Sequence, residues 1–457
     1  MAKKFVTTSI AYINAEPHIG FLFELLAADV LARYYRAQGN DVFFLTGTDE
    51  HGIKVAKAAS EANQEPQLFA DGLSAKFEAL GQQLGLGWDY FVRTTDPGHV
   101  KFVQQKWQEL SDKKVLVKKS YAGWYCAGCE AFKTDSEIEE GRCLIHETPV
   151  EKSEEQNWFL QIKDQAPAIR AWIEKSVYPA TRRQEVINVL ESGAYDEVSV
   201  SRPRTKNSWG IEVPSDSEQV MYVWVDALLN YLSGIELSGW QIEDWWPADV
   251  QLVGKDILKF HAIIWPALLL ILGYELPKKL LVHGFINVDG KKMSKSLGNV
   301  IAPKDLLDRY GVDGTRYLLL RGLSFAEDSN FSWADFDHLY NGELANGLGN
   351  LVARIIGIAK KVDKFDLSLA QPELADRGEL DFKATLTQAN ELINQADGII
   401  TAEKLWTEPT TKTPKLLEAI GCLLAATTLL EPFIAQTVAE IRRQLAELDS
   451  KPIFPRL

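Results

Sequence analysis

The stretch FVTTSIAYINAEPHIGFLFELLAADVLARYYRAQGNDVFFLTGTDEHG, Phe5 to Gly52, decides the fold class. Phe5 to Ile10 is a short β-rich run, Phe21 to Tyr35 carries apolar residues at helical spacing, and Asp41 to Leu45 reads as a second buried strand. A strand, a loop, a helix and another strand within about 50 residues make a βαβ unit, whose ligand lies at the carboxyl ends of the strands. Tyr12 to Gly20 and Thr46 to Gly52 are therefore expected to line one crevice.

Outward from this unit the pattern changes. From about Lys113 to Tyr222 the chain shows short β-like segments, a cysteine cluster and turn-rich stretches such as SRPRTKNSWG, the signature of an insertion. The α/β pattern resumes at Val250 to Gly254, continues through an apolar helix from Asp256 to about Leu272, and returns to a strand at Leu280 to Val288. Beyond about Leu339 the patterning is helical, with breaks at Pro372, Pro409 and Pro414. The expected architecture is α/β: a Rossmann-type doubly wound parallel sheet in two halves (1–112 and 223–285), split by the insertion 113–222 and followed by 286–338 and a helical bundle, 339–457.

The composition fits a folded chain of about three domains: 457 residues, 46% hydrophobic and 25% charged. A net charge of −14 argues against a protein that coats nucleic acid or DNA nonspecifically. The N-terminal MAKKFVTTSIAYI has no targeting pattern, and the longest apolar run, Ala262 to Leu272, is broken by Pro266 and shorter than the about 20 residues a membrane span needs. Four cysteines in this length are a cytosolic usage, so the reading is cytoplasmic with no membrane partner. Three of them cluster: Cys126 and Cys129, then Cys143 with His146, form a Cys₃His set with the short-arm spacing of a zinc knuckle. Four protein ligands close a Zn²⁺ shell, so this metal is expected to be structural. Cys422 reads as a small apolar filler.

Two segments carry chemistry. In AEPHIGF, Ala15 to Phe21, a strand end meets a proline turn, a histidine and a glycine that opens a helix. Backbone N–H groups there can face a phosphate, Gly20 allows close approach, and His18 can donate to a phosphate oxygen. In GKKMSKSLGN, Gly290 to Asn299, lysines stand between two glycines and can close over a triphosphate. Taken singly, a satisfied loop histidine and a solvated basic loop explain them as well. Together, PHIG early and KMSKS late resemble the two nucleotide-binding motifs of class I aminoacyl-tRNA synthetases. FFLTGTDEHG (Phe43 to Gly52), YVWVDALLNY (Tyr222 to Tyr231), GKDILKFHAIIWPA (Gly254 to Ala267) and VHGFINVDGKKMSKSLGN (Val282 to Asn299) narrow the resemblance to the methionyl-tRNA synthetase family.

That resemblance implies ATP-dependent activation of L-methionine and its transfer to initiator and elongator tRNA(Met). Carboxylate attack on the α-phosphate needs no general base, because the substrate is ionised at neutral pH. The implied catalytic set is His18, Lys292 and Lys295, with Mg²⁺ on the ATP phosphates and Gly20, Gly254 and Asp256 completing the nucleotide site. Asp49 would hold the methionine ammonium group. Ile10, Tyr12, Trp224, Ala227, Tyr231, Ile257, His261 and Trp265 would build the side-chain pocket, suited to a thioether with almost no hydrogen-bonding handle. Asn350 and Arg354, four apart on one helix face, and Trp406 would bind the anticodon. Within this frame 286–338 becomes the KMSKS loop and stem-contact region, and 339–457 an anticodon-binding bundle.

Two departures stand out. The family's first motif usually ends in a second histidine, whereas Phe21 follows Gly20 here, which implies slow adenylation or a compensating donor. The chain also ends at Leu457, soon after the helices, which suggests a monomer without a further dimerising domain. Rival readings are a class I synthetase for cysteine, leucine or valine, a non-catalytic tRNA-binding homologue, and a nucleotidyltransferase. Local basic patches, at Arg354 to Lys364 and at Arg202, Arg204 and Lys206, are expected to admit a tRNA against the acidic background.

Overall fold

The computed structural model describes residues 1–127, 131–133, 135–145, 147–293, 298–363, 365–371 and 380–457. The chain divides into two compact units, Met1–Pro17 with Gly39–His283, and His18–Gln38 with Gly284–Leu457.

A seven-stranded parallel sheet organises the first unit. Its order is Val177–Tyr178, Leu280–His283, Val250–Gly254, Lys3–Thr8, Asp41–Asp49 and Ala11–Tyr12, with Tyr90–Arg93 also pairing Asp41–Asp49. Every residue of Asp41–Asp49 after the first is buried, which is why Val42 to Leu45 reads as an apolar run rather than an alternation. Gly47 lies opposite Val92, where an added Cβ would meet the Val92 carbonyl oxygen at 2.0 Å, so only glycine lets the two strands close up. The chain moves from Lys3–Thr8 outward to Asp41–Asp49 and Tyr90–Arg93, then crosses back to Val250–Gly254 on the other side. The topological switch point therefore falls between Lys3–Thr8 and Val250–Gly254.

The stretch expected as an insertion contributes a four-stranded antiparallel sheet, in which ten residues of Glu151–Gln161, 151 to 160, pair with Leu116 to Tyr125 of Leu116–Cys126, and a three-stranded sheet around Asp216–Met221. It also lends Val177–Tyr178 to the edge of the parallel sheet, a two-residue strand too short to leave a sequence pattern. The helix expected from Asp256 is three pieces: a 3₁₀ turn Lys255–Ile257, a π-helical turn Phe260–Ile264, and an α-helix Trp265–Leu272 ended by Gly273 at φ 88°.

In the second unit, helix Ile19–Ala37 packs against helix Pro303–Gly322, which is kinked at Gly311 (φ 68°). The strand expected through Val288 stops at His283, and Ile286–Val288 pairs instead with Ser329–Phe331 and Lys291–Lys292. Helices Asn350–Ala359, Phe382–Ala402, Thr413–Leu430 and Ala435–Glu447 follow. Thr413–Leu430 is the one described helix long and apolar enough to cross a membrane, and Leu416, Ile420, Leu423 and Leu430 on it are buried in the fold.

Candidate active site

The carboxyl ends of Lys3–Thr8 and Val250–Gly254 are tied together by the Ser9 N–H, which donates to the Leu252 carbonyl oxygen at 2.9 Å. Below them the Trp265 indole N–H donates to Gln251 Oε1 at 3.1 Å, and Gln251 Nε2 donates to Thr7 Oγ1 at 3.4 Å. Trp265 is wholly enclosed and Tyr231 nearly so, their rings 5.5 Å apart. His261 Nδ1 lies 3.1 Å from the Ile257 carbonyl, which can only accept, so the proton sits on Nδ1. Nε2 then accepts from the Tyr231 hydroxyl at 2.8 Å. Burial pushes the His261 imidazole down to about 4, against a smaller opposing effect of the Ile257 bond, so the ring is neutral at physiological pH.

Trp224 is only partly buried and stacks on Phe260, centroids 3.9 Å apart and planes within 7°, with His261 edge-on at 6.1 Å. Ile10, Tyr12, Trp224 and Ile257 all pack against the same apolar core that contains Tyr231 and Trp265, and Ala227 is buried on the helix Val223–Leu228. The result is a wall of aromatic faces in which Tyr231, His261 and Trp265 spend their polar atoms on one another, on main chain and on Gln251, which suits a polarisable apolar ligand. Phe260 escaped the sequence reading, although it lies inside GKDILKFHAIIWPA; only the π-helical turn aligns its ring with Trp224. At the same strand end Asp256 is exposed, and its Oδ1 lies 2.6 Å from where a Cβ on Gly254 would be. Gly254 thus leaves room for the carboxylate to fold back over the main chain, beside His283 in the adjacent register.

Asp49 is buried at the end of its strand, opposite Tyr12, and its carbonyl accepts from the Ile13 N–H at 3.1 Å. The next two residues are anchored by groups the sequence reading missed. Glu50, fully buried, takes a two-pronged ion pair from Arg93 (2.8 and 2.9 Å), a bond from Thr48 Oγ1 (2.6 Å) and another from Thr95. His51 Nδ1 lies 2.6 Å from Asp226 Oδ2. Apart from the neighbouring Thr48, these partners come from two distant segments, one bearing Arg93 and Thr95 and the other Asp226, so no local spacing could have marked them.

In the second unit His18 caps helix Ile19–Ala37. Its Nδ1 accepts from the Gly20 N–H at 3.1 Å, which puts the ring proton on Nε2. The helix-start N–H groups are less open than expected: Ile19 donates to the Ile301 carbonyl at 3.2 Å and Gly20 to the His18 ring. A Cβ on Gly20 would stand 2.9 Å from His18 Cε1, so the glycine makes room for the imidazole itself. Phe21, partly buried, follows in the first turn. Lys292 lies on Lys291–Lys292, which leaves Ile286–Val288 by a two-residue turn, Asp289 (φ 50°) and Gly290 (φ 74°), of the kind that favours Asp-Gly in hairpins. Lys295 lies outside the described residues.

Of the predicted metal ligands, Cys126 ends the strand Leu116–Cys126 and Cys143 sits on the hairpin Ile138–Glu139 with Arg142–Cys143. Both are buried around Val150, and Cys126 Sγ lies 3.7 Å from Thr148 Oγ1. Cys129 and His146 fall outside the described residues, among which no three potential ligands gather at one point. Asn350 is exposed and Trp406 nearly half exposed. Arg354 is ion-paired to Asp397 and donates to Thr401 Oγ1 at 3.1 Å. The second basic patch is compensated rather than open: Arg202 is buried over the Tyr222 ring, Arg204 pairs with Glu212, and Lys206 lies 3.0 Å from Glu155.

A doubly wound parallel sheet with an aromatic cluster packed at its switch point defines the broad class, an open α/β fold of the kind that takes its ligands at the carboxyl ends of the strands. The model of the family described as tRNA synthetases class I (M) matches residues 4–148 and 135–356. A methionine–tRNA ligase of Thermotoga maritima is 45% identical over 79% of this chain and 58% of its own length, so the chain spans less than two thirds of that relative. One of Streptomyces coelicolor is 37% identical over 95% of this chain and 88% of its own. Among solved structures, a Mycobacterium tuberculosis methionyl-tRNA synthetase in complex with methionyl-adenylate superposes with a TM-score of 0.86 at 33% identity, covering 100% of both chains. The chain belongs to this family, the class I tRNA synthetases (M).

Proposed function

We propose that the chain is a methionine–tRNA ligase, which joins L-methionine to ATP as methionyl-adenylate with release of pyrophosphate, then transfers methionine to the terminal adenosine of tRNA(Met). The observation that carries this reading is the neutral aromatic cluster at the switch point, with Tyr231 donating to an uncharged His261, and the buried Asp49 at a strand end of the same sheet. A methionine thioether meets aromatic faces there and no charge, while Asp49 offers a carboxylate to its ammonium group. His18, through Nε2–H, donates to the phosphates; Lys292 and Lys295 neutralise charge on the leaving pyrophosphate; Gly20, Gly254 and Asp256 shape the nucleotide site. Mg²⁺, carried in with ATP, would neutralise the phosphate oxygens. The phenyl side chain of Phe21 carries no hydrogen-bonding group, so in this reading His18 carries more of the phosphate contact than where a second histidine stands.

In this reading residues 1–112 and 223–285 form the catalytic domain and 113–222 the connective insertion. The buried Cys126 and Cys143 thiols, on a strand end and a tight hairpin, fit a structural Zn²⁺ completed by Cys129 and His146. Residues 286–338 hold the KMSKS loop, and 339–457 bind the anticodon through Asn350, Arg354 and Trp406. Cytoplasmic translation is the setting. Methionine-dependent ATP–pyrophosphate exchange, run against cysteine, leucine, valine and homocysteine, tests the activity. Exchange with methionine, a weaker reaction with homocysteine and charging of tRNA(Met) are expected, since such a pocket separates methylene homologues by only about 1–3 kcal/mol. Preference for any of the other three amino acids would overturn it.

A further inference from the structure

The carboxylate of Asp226 is almost completely buried, yet it belongs to no substrate site described above. It stands on helix Val223–Leu228, between Trp224 and Ala227. Its Oδ2 lies 2.6 Å from His51 Nδ1 and its Oδ1 2.7 Å from His99 Nε2; His99 Nδ1 continues to Ser233 Oγ at 2.7 Å, on the helix Asn230–Leu237 that carries Tyr231. Burial alone would push Asp226 up, but the adjacent imidazoles, His51 foremost, hold it below the usual carboxylate range. His51 is two residues beyond Asp49. Trp209 grips the main chain on either side of it, its indole N–H donating to the Glu50 carbonyl at 2.6 Å and its own carbonyl accepting from the Gly52 N–H at 2.9 Å.

We propose that Asp226 is a positioning residue that fixes the strand end bearing Asp49 in register with the helices bearing Trp224, Ala227 and Tyr231. The proposal rests on the methionine reading of the site. A side chain with almost no hydrogen-bonding handle is recognised by shape, and shape discriminates only if the pocket stands at a set distance from the group that anchors the ammonium. One carboxylate with two acceptor oxygens, each aimed at a histidine from a different segment, sets that distance. Removing its charge frees the loop 49–52 from the pocket helix while Glu50 and Arg93 still hold the strand end in the fold.

The test is ATP–pyrophosphate exchange by Asp226→Asn, with the desamino analogue of methionine as a competitive inhibitor. The expected result is a methionine KM raised about 10- to 100-fold with the ATP KM near that of the wild type, the scale of a misplacement of about 1 Å. The inhibition constant of the desamino analogue should change several-fold less, because that ligand does not use Asp49. Equal weakening of both ligands would mean a general collapse of the pocket and would overturn the proposal. His51→Ala should reproduce the methionine defect even where Asp226→Asn does not fold, and His51→Asn, whose amide nitrogen can take the place of Nδ1, should recover most of it. An unchanged methionine KM in His51→Ala, with wild-type exchange intact, overturns the positioning role alone. A wild type with no methionine-dependent exchange sinks the activity reading and the proposal together.

Discussion

His261 shows how one residue acquires a role that its type does not announce. A histidine in water titrates near 6.5, but complete burial holds this one neutral down to about pH 4. Between those values the unfolded chain binds a proton that the folded chain refuses. Stability therefore rises with pH across that window, is complete above about 6.5, and is lost as pH falls toward 4, by up to about 3 kcal/mol. His261→Gln should flatten this dependence: urea titrations of wild type and variant at pH 7 and pH 4.5 should show the wild type losing more. Equal losses would mean that His261 does not titrate in this window. The sequence offered His261 as a pocket residue; its tautomer, its neutrality and its bond to Tyr231 depend on Ile257 and on burial, neither visible in the spacing. The same holds for His18, whose ring is oriented by the Gly20 N–H.

Helices and strands answer to their local patterns except where a partner from far along the chain intervenes. Ile19–Ala37 is buried along most of its length, Glu24 and Asp29 included, and Asp29 stands there as a wholly enclosed carboxylate. Arg316 explains it: Nη2 lies 2.6 Å from Asp29 Oδ2, and the same guanidinium donates to the carbonyls of Phe433 (2.6 Å) and Pro432 (3.2 Å). Helix Pro303–Gly322 is thereby bolted to the helix that His18 caps and to the turn before Ala435–Glu447, whose Thr437 N–H donates to Asp313 Oδ2 at 2.6 Å. Arg316→Leu leaves a buried carboxylate with one fewer cation and two carbonyls without their donor, at a cost of about 3–5 kcal/mol. Guanidinium denaturation should show that loss, and Asp29→Leu added to Arg316→Leu should regain part of it. A single-variant loss under about 1 kcal/mol would refute the bolt. The π-helical turn at Phe260–Ile264 is a second case: the sequence pattern is plainly helical, and only packing reveals the extra residue in the turn.

At the scale of the whole chain, a net charge of −14 would leave the proposed tRNA binding to a few local cations. Arg202, Arg204 and Lys206 are already occupied, and Arg354 must leave Asp397 to meet a base. Lys360 and Lys361 are exposed in the turn after Asn350–Ala359. Binding of tRNA(Met) should therefore be strongly salt-dependent, about 1,000-fold between about 50 and 200 mM for roughly six phosphate contacts, and replacing both lysines by glutamate should reduce the slope. Fluorescence titration over a salt series checks this, and a slope indifferent to the replacement would remove these lysines from the interface. The sequence by itself determined the βαβ core and the helical C-terminal part. These follow from periodicity and short motifs, where neighbours in the chain are neighbours in space. Tertiary structure alone decided the switch point between Lys3–Thr8 and Val250–Gly254, the pairing of Tyr231 with His261, and the convergence of His51, His99 and Asp226. Each of these joins segments tens to hundreds of residues apart, and which buried polar group meets which is settled by the packing that brings them out of water.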